Sequence, residues 1–294
     1  MKILISDAFD PSLPQRLKAF GDVTDDTSQL PEADVVLVRS KTKCTKEYIE
    51  RAPNLKLIIR GGVGLDNVDL EYATSKGIEV RNTPEASSVA VAELAFALML
   101  AVSNRIVEAH NSMVTGEWAK KQMKRSELMG KTLGLIGVGR IGTVVANRAR
   151  AFGMYVIGYD CYVEYSDLVE LKSLDEVLAS SDYISLHVPL CLDTEGMINK
   201  ETIAKMKDGV IIINTGRGKC VVEDDLAAAL ESGKVRAYAT DVWYSDPPAE
   251  DCPLLKAPNV IMTPHIGAST KENLLRIGDQ IVEILKEHQQ KQGA

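Results

Sequence analysis

Apolar residues recur along this chain in two rhythms: short runs rich in Val and Ile, and longer stretches in which they return every three or four positions. The short runs at 2–6, 35–38, 57–59 and 78–80 read as buried strands, with helical patterns between them. A second series follows at 132–137, 155–159, 183–186, 210–214, 235–239 and 260–262, again with helices interleaved. Strands that alternate with helices belong to parallel sheets, because a parallel crossover needs a connecting helix and such helices cover both faces. The expected class is α/β, with two doubly wound parallel-sheet domains.

Two helical segments complete the pattern. Residues 86–115 contain no Gly or Pro, and Val89, Ala92, Leu94, Ala95, Phe96 and Leu98 leave almost no polar face. That predicts a helix buried between domains or subunits. A last helix begins near Thr270 and places Leu274, Ile277, Ile281 and Ile284 on one stripe, which should cover the small first domain. Gln289, Gln290, Lys291 and Gln292 read as a frayed terminus. The expected organisation is one domain over 97–266, with 1–96 and 267–294 forming a smaller lobe and substrate in the cleft between them.

Composition narrows the class of function. An apolar fraction of 45% and a charged fraction of 26% are those of an ordinary folded chain. With 34 Lys and Arg against 41 Asp and Glu, the net charge of −7 opposes a grip on nucleic-acid phosphates. The five cysteines form no C-x-x-C pair, so no metal or redox site is expected, and a reducing cytoplasm fits best. The N-terminus reads as a strand rather than a signal peptide, and the apolar stretch at 94–102 is too short to span a membrane.

Gly137-Val138-Gly139-Arg140-Ile141-Gly142 follows a strand and opens a helix. Gly137 permits a tight turn, Gly139 lets backbone approach a pyrophosphate, and Gly142 lets the helix lie close to the strand. The anion then sits at the helix's positive end. Asp160 ends the next strand, where its carboxylate accepts from ribose hydroxyls and repels a 2′-phosphate. No Arg or Lys lies in Cys161-Tyr162-Val163-Glu164 to reverse that preference, so NAD is expected over NADP. A flavin or a methyl donor could use the same glycines, and the remaining chemistry must decide.

Hydride transfer at a hydroxy acid needs a cation for the carboxylate, a proton carrier, and a carboxylate to tune that carrier. Arg217, in the turn Thr215-Gly216-Arg217-Gly218 after strand 210–214, suits the first task. His265, in Thr263-Pro264-His265-Ile266-Gly267 after strand 260–262, suits the second. His187, in His187-Val188-Pro189, reads as cofactor-lining or structural, while His110 and His288 read as solvated surface.

At this point the chain resembles the D-isomer-specific 2-hydroxyacid dehydrogenases, and within them the phosphoglycerate dehydrogenases. The resemblance rests on residues 60–69, 88–95, the glycine motif, 214–218, Asp241-Val242-Trp243 and 264–270. It implies a Rossmann NAD-binding domain inserted into a flavodoxin-like substrate domain, and a homodimer. Arg217 would bind the substrate carboxylate and carbonyl, His265 would exchange the C2 hydroxyl proton, Asp241 would hold the nicotinamide carboxamide, and Val63 and Gly64 would meet the carboxylate. The family's histidine partner is usually Glu; here that position is Asp246, one methylene shorter, with Glu250 in reserve.

Arg39, Lys41 and Arg60 match positions that help receive a substrate phosphate in phosphoglycerate dehydrogenases, the alternative being solvated surface charge. The resemblance therefore implies oxidation of 3-phospho-D-glycerate to 3-phosphohydroxypyruvate, the entry to serine synthesis. The chain ends soon after its last helix, so a short form without a regulatory domain is expected. Two rivals stay open: a reductase of glyoxylate, hydroxypyruvate or another 2-keto acid, and an NAD-sensing regulator resembling the C-terminal-binding corepressors.

Overall fold

The computed structural model describes residues 1–292 and divides the chain into two compact units, Met1–Ser88 with the segment from Ala268 onward, and Val89–Gly267. The first expected boundary, between 96 and 97, falls inside a continuous helix, Ser88–Asn104. Ala92, Ala95, Phe96, Leu98 and Met99 of that helix pack into the second unit's core, which moves the division to its first turn. The other boundary lies between 267 and 268, and residues 293–294 fall outside the described part.

The first unit holds five parallel strands, β1 (Lys2–Ile5), β2 (Asp22–Thr24), β3 (Val35–Val38), β4 (Leu57–Arg60) and β5 (Glu79–Asn82), in the order β2-β1-β3-β4-β5. This is the flavodoxin-like order. Side chains alternate between faces with period two. Ile3, Ile5, Val35, Leu37, Leu57 and Ile59 meet Ile277, Ile281, Ile284 and Leu285 of the terminal helix Lys271–Gln292. Leu4, Val36, Val38 and Ile58 face the opposite way, toward Leu30, Ile49, Ala73 and Ile78. The terminal stripe thus lands on the first unit as its spacing predicted, each buried Ile contributing about 2 kcal/mol.

The far end of that helix departs from expectation. It stays helical through Gln292 instead of fraying, because Arg81 pairs with Glu287 at 3.0 Å and Glu79 receives His288 Nδ1 and Lys291 Nζ, both at 3.2 Å. His288 is 7% exposed, not the solvated side chain expected. Burial works against the Glu79 carboxylate, but these donors hold it below its ordinary range.

The second unit carries seven parallel strands: β6 (Thr132–Ile136), β7 (Tyr155–Tyr159), β8 (Glu170–Leu171), β9 (Tyr183–Leu186), β10 (Val210–Asn214), β11 (Val235–Thr240) and β12 (Val260–Met262). Their order is β12-β11-β10-β9-β6-β7-β8, so successive connections leave β6 first toward one edge and then toward the other. Ligands of such sheets bind outside the carboxyl ends of the strands at that reversal. The short strands β2 and β8 were not legible as apolar runs, since neither contains more than one aliphatic residue.

The segment 86–115 is not one helix. Arg105 adopts φ 51, in the left-handed region, and separates Ser88–Asn104 from Ile106–Val114, with a 63° bend between them. The first helix is satisfied against its own unit's sheet, and the second has no buried residue. No single helix among the described residues is long and apolar enough to cross a membrane.

Candidate active site

Gly137 leaves β6 with φ 97, and a Cβ there would stand 2.7 Å from the His187 carbonyl carbon. Only glycine fits, on both conformational and steric grounds. Gly142 carries its helix, Arg140–Ala151, against the same turn, where a Cβ would strike the Gly137 oxygen. Gly139, at the helix start, faces open space, and no side chain caps the first turn. A helix start that no side chain caps among the described residues, beside an open cradle, suits a pyrophosphate.

Asp160, at the end of β7, is prepositioned by three backbone donors: Val138 N–H at 2.8 Å on one oxygen, with Tyr162 and Val163 N–H at 2.8 and 3.2 Å on the other. A carboxylate offers about four acceptor sites, so one remains for a ribose hydroxyl. These residues therefore fit a dinucleotide without a 2′-phosphate. Arg140 and Pro189 are exposed beside the cradle, Ile141 and Val188 half-buried.

His187 closes the turn from behind. Its Nε2 meets Ser185 Oγ at 2.9 Å, its Nδ1 is buried with no partner among the described residues, and burial pushes the imidazole down to about 4. The ring is neutral at physiological pH, which supports the lining role and removes it as a proton carrier. Because the folded value lies below the ordinary 6.5, the unfolded chain binds the extra proton between about pH 4 and 6.5. Stability contributed by the neutral ring is present above that window and lost as pH falls through it, by about 3 kcal/mol in total. His187→Gln is expected to flatten this acid limb in denaturant midpoints taken from pH 7 to 4; parallel profiles for the two proteins would exclude His187 as the titrating group.

The candidate reacting groups come from the other half of the sheet. Arg217 follows β10 in extended conformation, half-buried, with Nη1 donating to the Gly216 carbonyl at 2.7 Å. Gly218 lets this turn pass so close to Trp243 that a Cβ would overlap its backbone. Thr215 Oγ1 is buried with no partner among the described residues, a hydroxyl left for a ligand. His265 follows β12. Arg217 and His265 follow β10 and β12 at the same carboxyl edge, and with β11 between them those two strands lie about 10 Å apart.

His265 has φ 55, a left-handed conformation that costs about 1–3 kcal/mol. Asp241, 2% exposed at the end of β11, supplies the restraint. One carboxylate oxygen accepts from Thr263 Oγ1 at 2.6 Å and Ile266 N–H at 2.8 Å, the other from Gly267 N–H at 2.7 Å. These donors lie on both sides of His265, so the carboxylate is already engaged with protein, which the expected carboxamide role did not anticipate. Gly267 has no room for a Cβ, which would lie 2.9 Å from that carboxylate.

Asp246 reaches His265 Nδ1 directly, so the shorter side chain does not prevent the pairing. The pair is half-open to solvent, His265 33% and Asp246 44% exposed by side chain. Glu250, the reserve partner, is exposed and makes no hydrogen bond among the described residues. The contact at Nδ1 engages one ring nitrogen, and Nε2 is the other nitrogen, the one a proton-transfer role would use.

The basic residues lie in the first unit. Arg60 ends β4 opposite Val38, and Arg39 follows Val38, so the two come from adjacent strand ends. Arg39 is held by Asp7, which accepts its N–H at 2.6 Å together with the Thr42 N–H and hydroxyl, and by Asn67, which donates to the Arg39 and Thr42 carbonyls, both at 2.7 Å. Its guanidinium meets only the Ala8 and Ala268 carbonyls, at 3.4 and 3.3 Å, and forms no ion pair among the described residues. Burial lowers its pKa, with the Asp7 charge opposing. Lys41 is exposed. The loop with Val63 and Gly64 is fastened by Asn82 Nδ2, which donates to the Val63 carbonyl at 2.5 Å. Asp7, Asn67 and Asn82 were missed, because isolated polar residues after strands carry no signal of what they will bind.

Residues 96–267 match the family described as D-isomer specific 2-hydroxyacid dehydrogenase, NAD binding domain. Hydroxypyruvate reductase of Thermotoga maritima is 53% identical over 262 residues, covering 88% of this chain and 86% of that protein. D-3-phosphoglycerate dehydrogenase of Methanocaldococcus jannaschii is 46% identical over 299 residues, covering 97% of this chain but 57% of that one. The chain thus spans little more than half the length of that relative. Among solved structures, D-lactate dehydrogenase from Aquifex aeolicus, complexed with NAD and lactic acid, aligns with a TM-score of 0.88 at 35% identity, covering 99% of this chain and 96% of that chain.

Proposed function

The chain belongs to the D-isomer-specific 2-hydroxyacid dehydrogenases, and from that premise we propose that this NAD-dependent enzyme oxidises 3-phospho-D-glycerate to 3-phosphohydroxypyruvate, the entry to serine synthesis. Arg217 receives the substrate carboxylate and polarises the C2 oxygen. His265 Nε2 accepts the proton of the C2 hydroxyl, while Asp246 on Nδ1 steadies the ring and the charge it acquires. Bound NAD would supply the hydride acceptor for C2. Asp160 and the uncapped helix start at Arg140 would hold its ribose and pyrophosphate.

The observation that carries the phosphorylated substrate is Arg39, a half-buried guanidinium that forms no ion pair among the described residues and lies beside the strand end that bears Arg60. A buried cation wants a counter-charge, and a phosphate dianion supplies it. The second reading, reduction of hydroxypyruvate or glyoxylate, is favoured by the 53% identity to a hydroxypyruvate reductase. The test compares NADH formation from 3-phosphoglycerate with NADH consumption by phosphohydroxypyruvate, hydroxypyruvate and glyoxylate. Arg39→Ala is expected to raise KM for the phosphorylated acids about tenfold and leave that for hydroxypyruvate unchanged. Equal turnover of unphosphorylated acids, with no effect of Arg39→Ala or Arg60→Ala, would transfer the assignment to the reductase; inactivity on every acid would favour the regulator.

The reading extends to a cytoplasmic homodimer. Ile106, Val107, Met113 and Val114 are exposed along one short helix. Light scattering that reports the 32.1 kDa of one chain removes the dimer.

A further inference from the structure

On the reading of Arg217 as the group that receives the substrate carboxylate, we propose that Asn214 is a positioning residue for it: a buried amide that grips the chain before and after Arg217 and so sets where the guanidinium stands. Asn214 is the last residue of β10 and 0% exposed. Its Oδ1 accepts from Gly216 N–H at 3.0 Å, and its Nδ2 donates to the Arg217 carbonyl at 3.0 Å. The second Nδ2 hydrogen is directed at the Tyr238 hydroxyl, 3.2 Å away and 1% exposed. One side chain therefore holds the turn from both ends, and a phenol anchored in the core orients that side chain.

The residue type follows from the geometry. An acceptor and two donors are needed one carbon from the backbone. Asp keeps the acceptor and loses both donors, Gln displaces the group by a methylene, and Thr offers a single hydrogen. A loose turn would let the guanidinium sample several directions, and its bidentate match to a carboxylate depends on direction. Asn214 also serves the second reacting group through its backbone: its carbonyl accepts the Asp241 N–H at 3.0 Å, and Asp241 carries the loop of His265.

The test compares Asn214→Asp, Asn214→Ala, Tyr238→Phe and Arg217→Gln, with three measurements on each variant. These are KM for the hydroxy acid, the inhibition constant of oxalate as a dead-end analogue, and the Kd of NADH by fluorescence. Both Asn214 variants are expected to raise KM and the oxalate constant about tenfold, and Tyr238→Phe about threefold, with NADH affinity within twofold of the parent. A merely structural residue would weaken NADH in parallel, and that result overturns the proposal. So does an unchanged KM and oxalate constant in Asn214→Asp or, should neither Asn214 variant fold, in Tyr238→Phe. Arg217→Gln separates the two levels: if it raises KM while the others do not, only the positioning role falls, whereas if it leaves KM unchanged, the reading of Arg217 falls as well.

Discussion

Replacing His265 with asparagine is expected to lower kcat about a thousandfold while NADH binding persists. Asparagine is the informative substitution because it tolerates the left-handed backbone that His265 adopts at φ 55, so the loss reports proton transfer and not loop collapse. Oxidation needs the neutral imidazole to take a proton, and reduction needs the protonated ring to give one. The variant should therefore lose both directions of the reaction together. Asp246→Asn keeps the shape beside Nδ1 but removes the charge, and a smaller fall of about tenfold is expected. Stopped-flow traces of NADH appearance and consumption check both; a His265→Asn enzyme that keeps a tenth of the parent rate would end the assignment of His265 as acid and base.

Asp241→Asn is the second large effect. The carboxylate accepts three hydrogen bonds from residues flanking His265, and an asparagine oxygen can keep those from Thr263 and Ile266. Its NH2 group would then face the Gly267 N–H, donor against donor, in a buried site. The expected cost is about 3 kcal/mol of stability, seen as a lower denaturant midpoint. The loop that holds the histidine in a strained conformation also relaxes, and a reacting group misplaced by about 1 Å can cost about a hundredfold in kcat. Should kcat hold while NADH affinity alone drops, Asp241 acts on the nicotinamide carboxamide, as the family resemblance implied. Thr263→Val removes one of the three donors with little change in volume and should give a milder version of the same fall.

Much of the site was legible because its signals are local. The glycine loop lies within six consecutive residues, and its steric reasons hold in the fold: Gly137 against His187, Gly142 against Gly137, Gly139 facing open space. Asp160 sits at a strand end by simple counting, yet its three backbone donors come from the turn across β6 and from its own loop. The kink at Arg105 was invisible, since a run without Gly or Pro offers no mark for a left-handed residue. His288 was misread as solvated because its burial depends on Glu79, 209 residues away.

What the chain's residues determine directly is the alternation of strands and helices, the cradle for a dinucleotide, the kinship to a dehydrogenase family and the identity of its Arg, His and carboxylate candidates. These follow from periodicity, side-chain chemistry and spacing over a few residues. The tertiary structure alone decided that β11 stands between β10 and β12, which carries Arg217 and His265 to one edge. It also decided that Asp241 clasps the histidine loop and that Asn214 clasps the arginine turn. The reason is physical: the bonds from the histidine loop to Asp241, and the Tyr238 contact that orients the Asn214 amide, join residues 22 to 26 positions apart along the chain, and a donor's choice among distant acceptors is made only when the sheet closes.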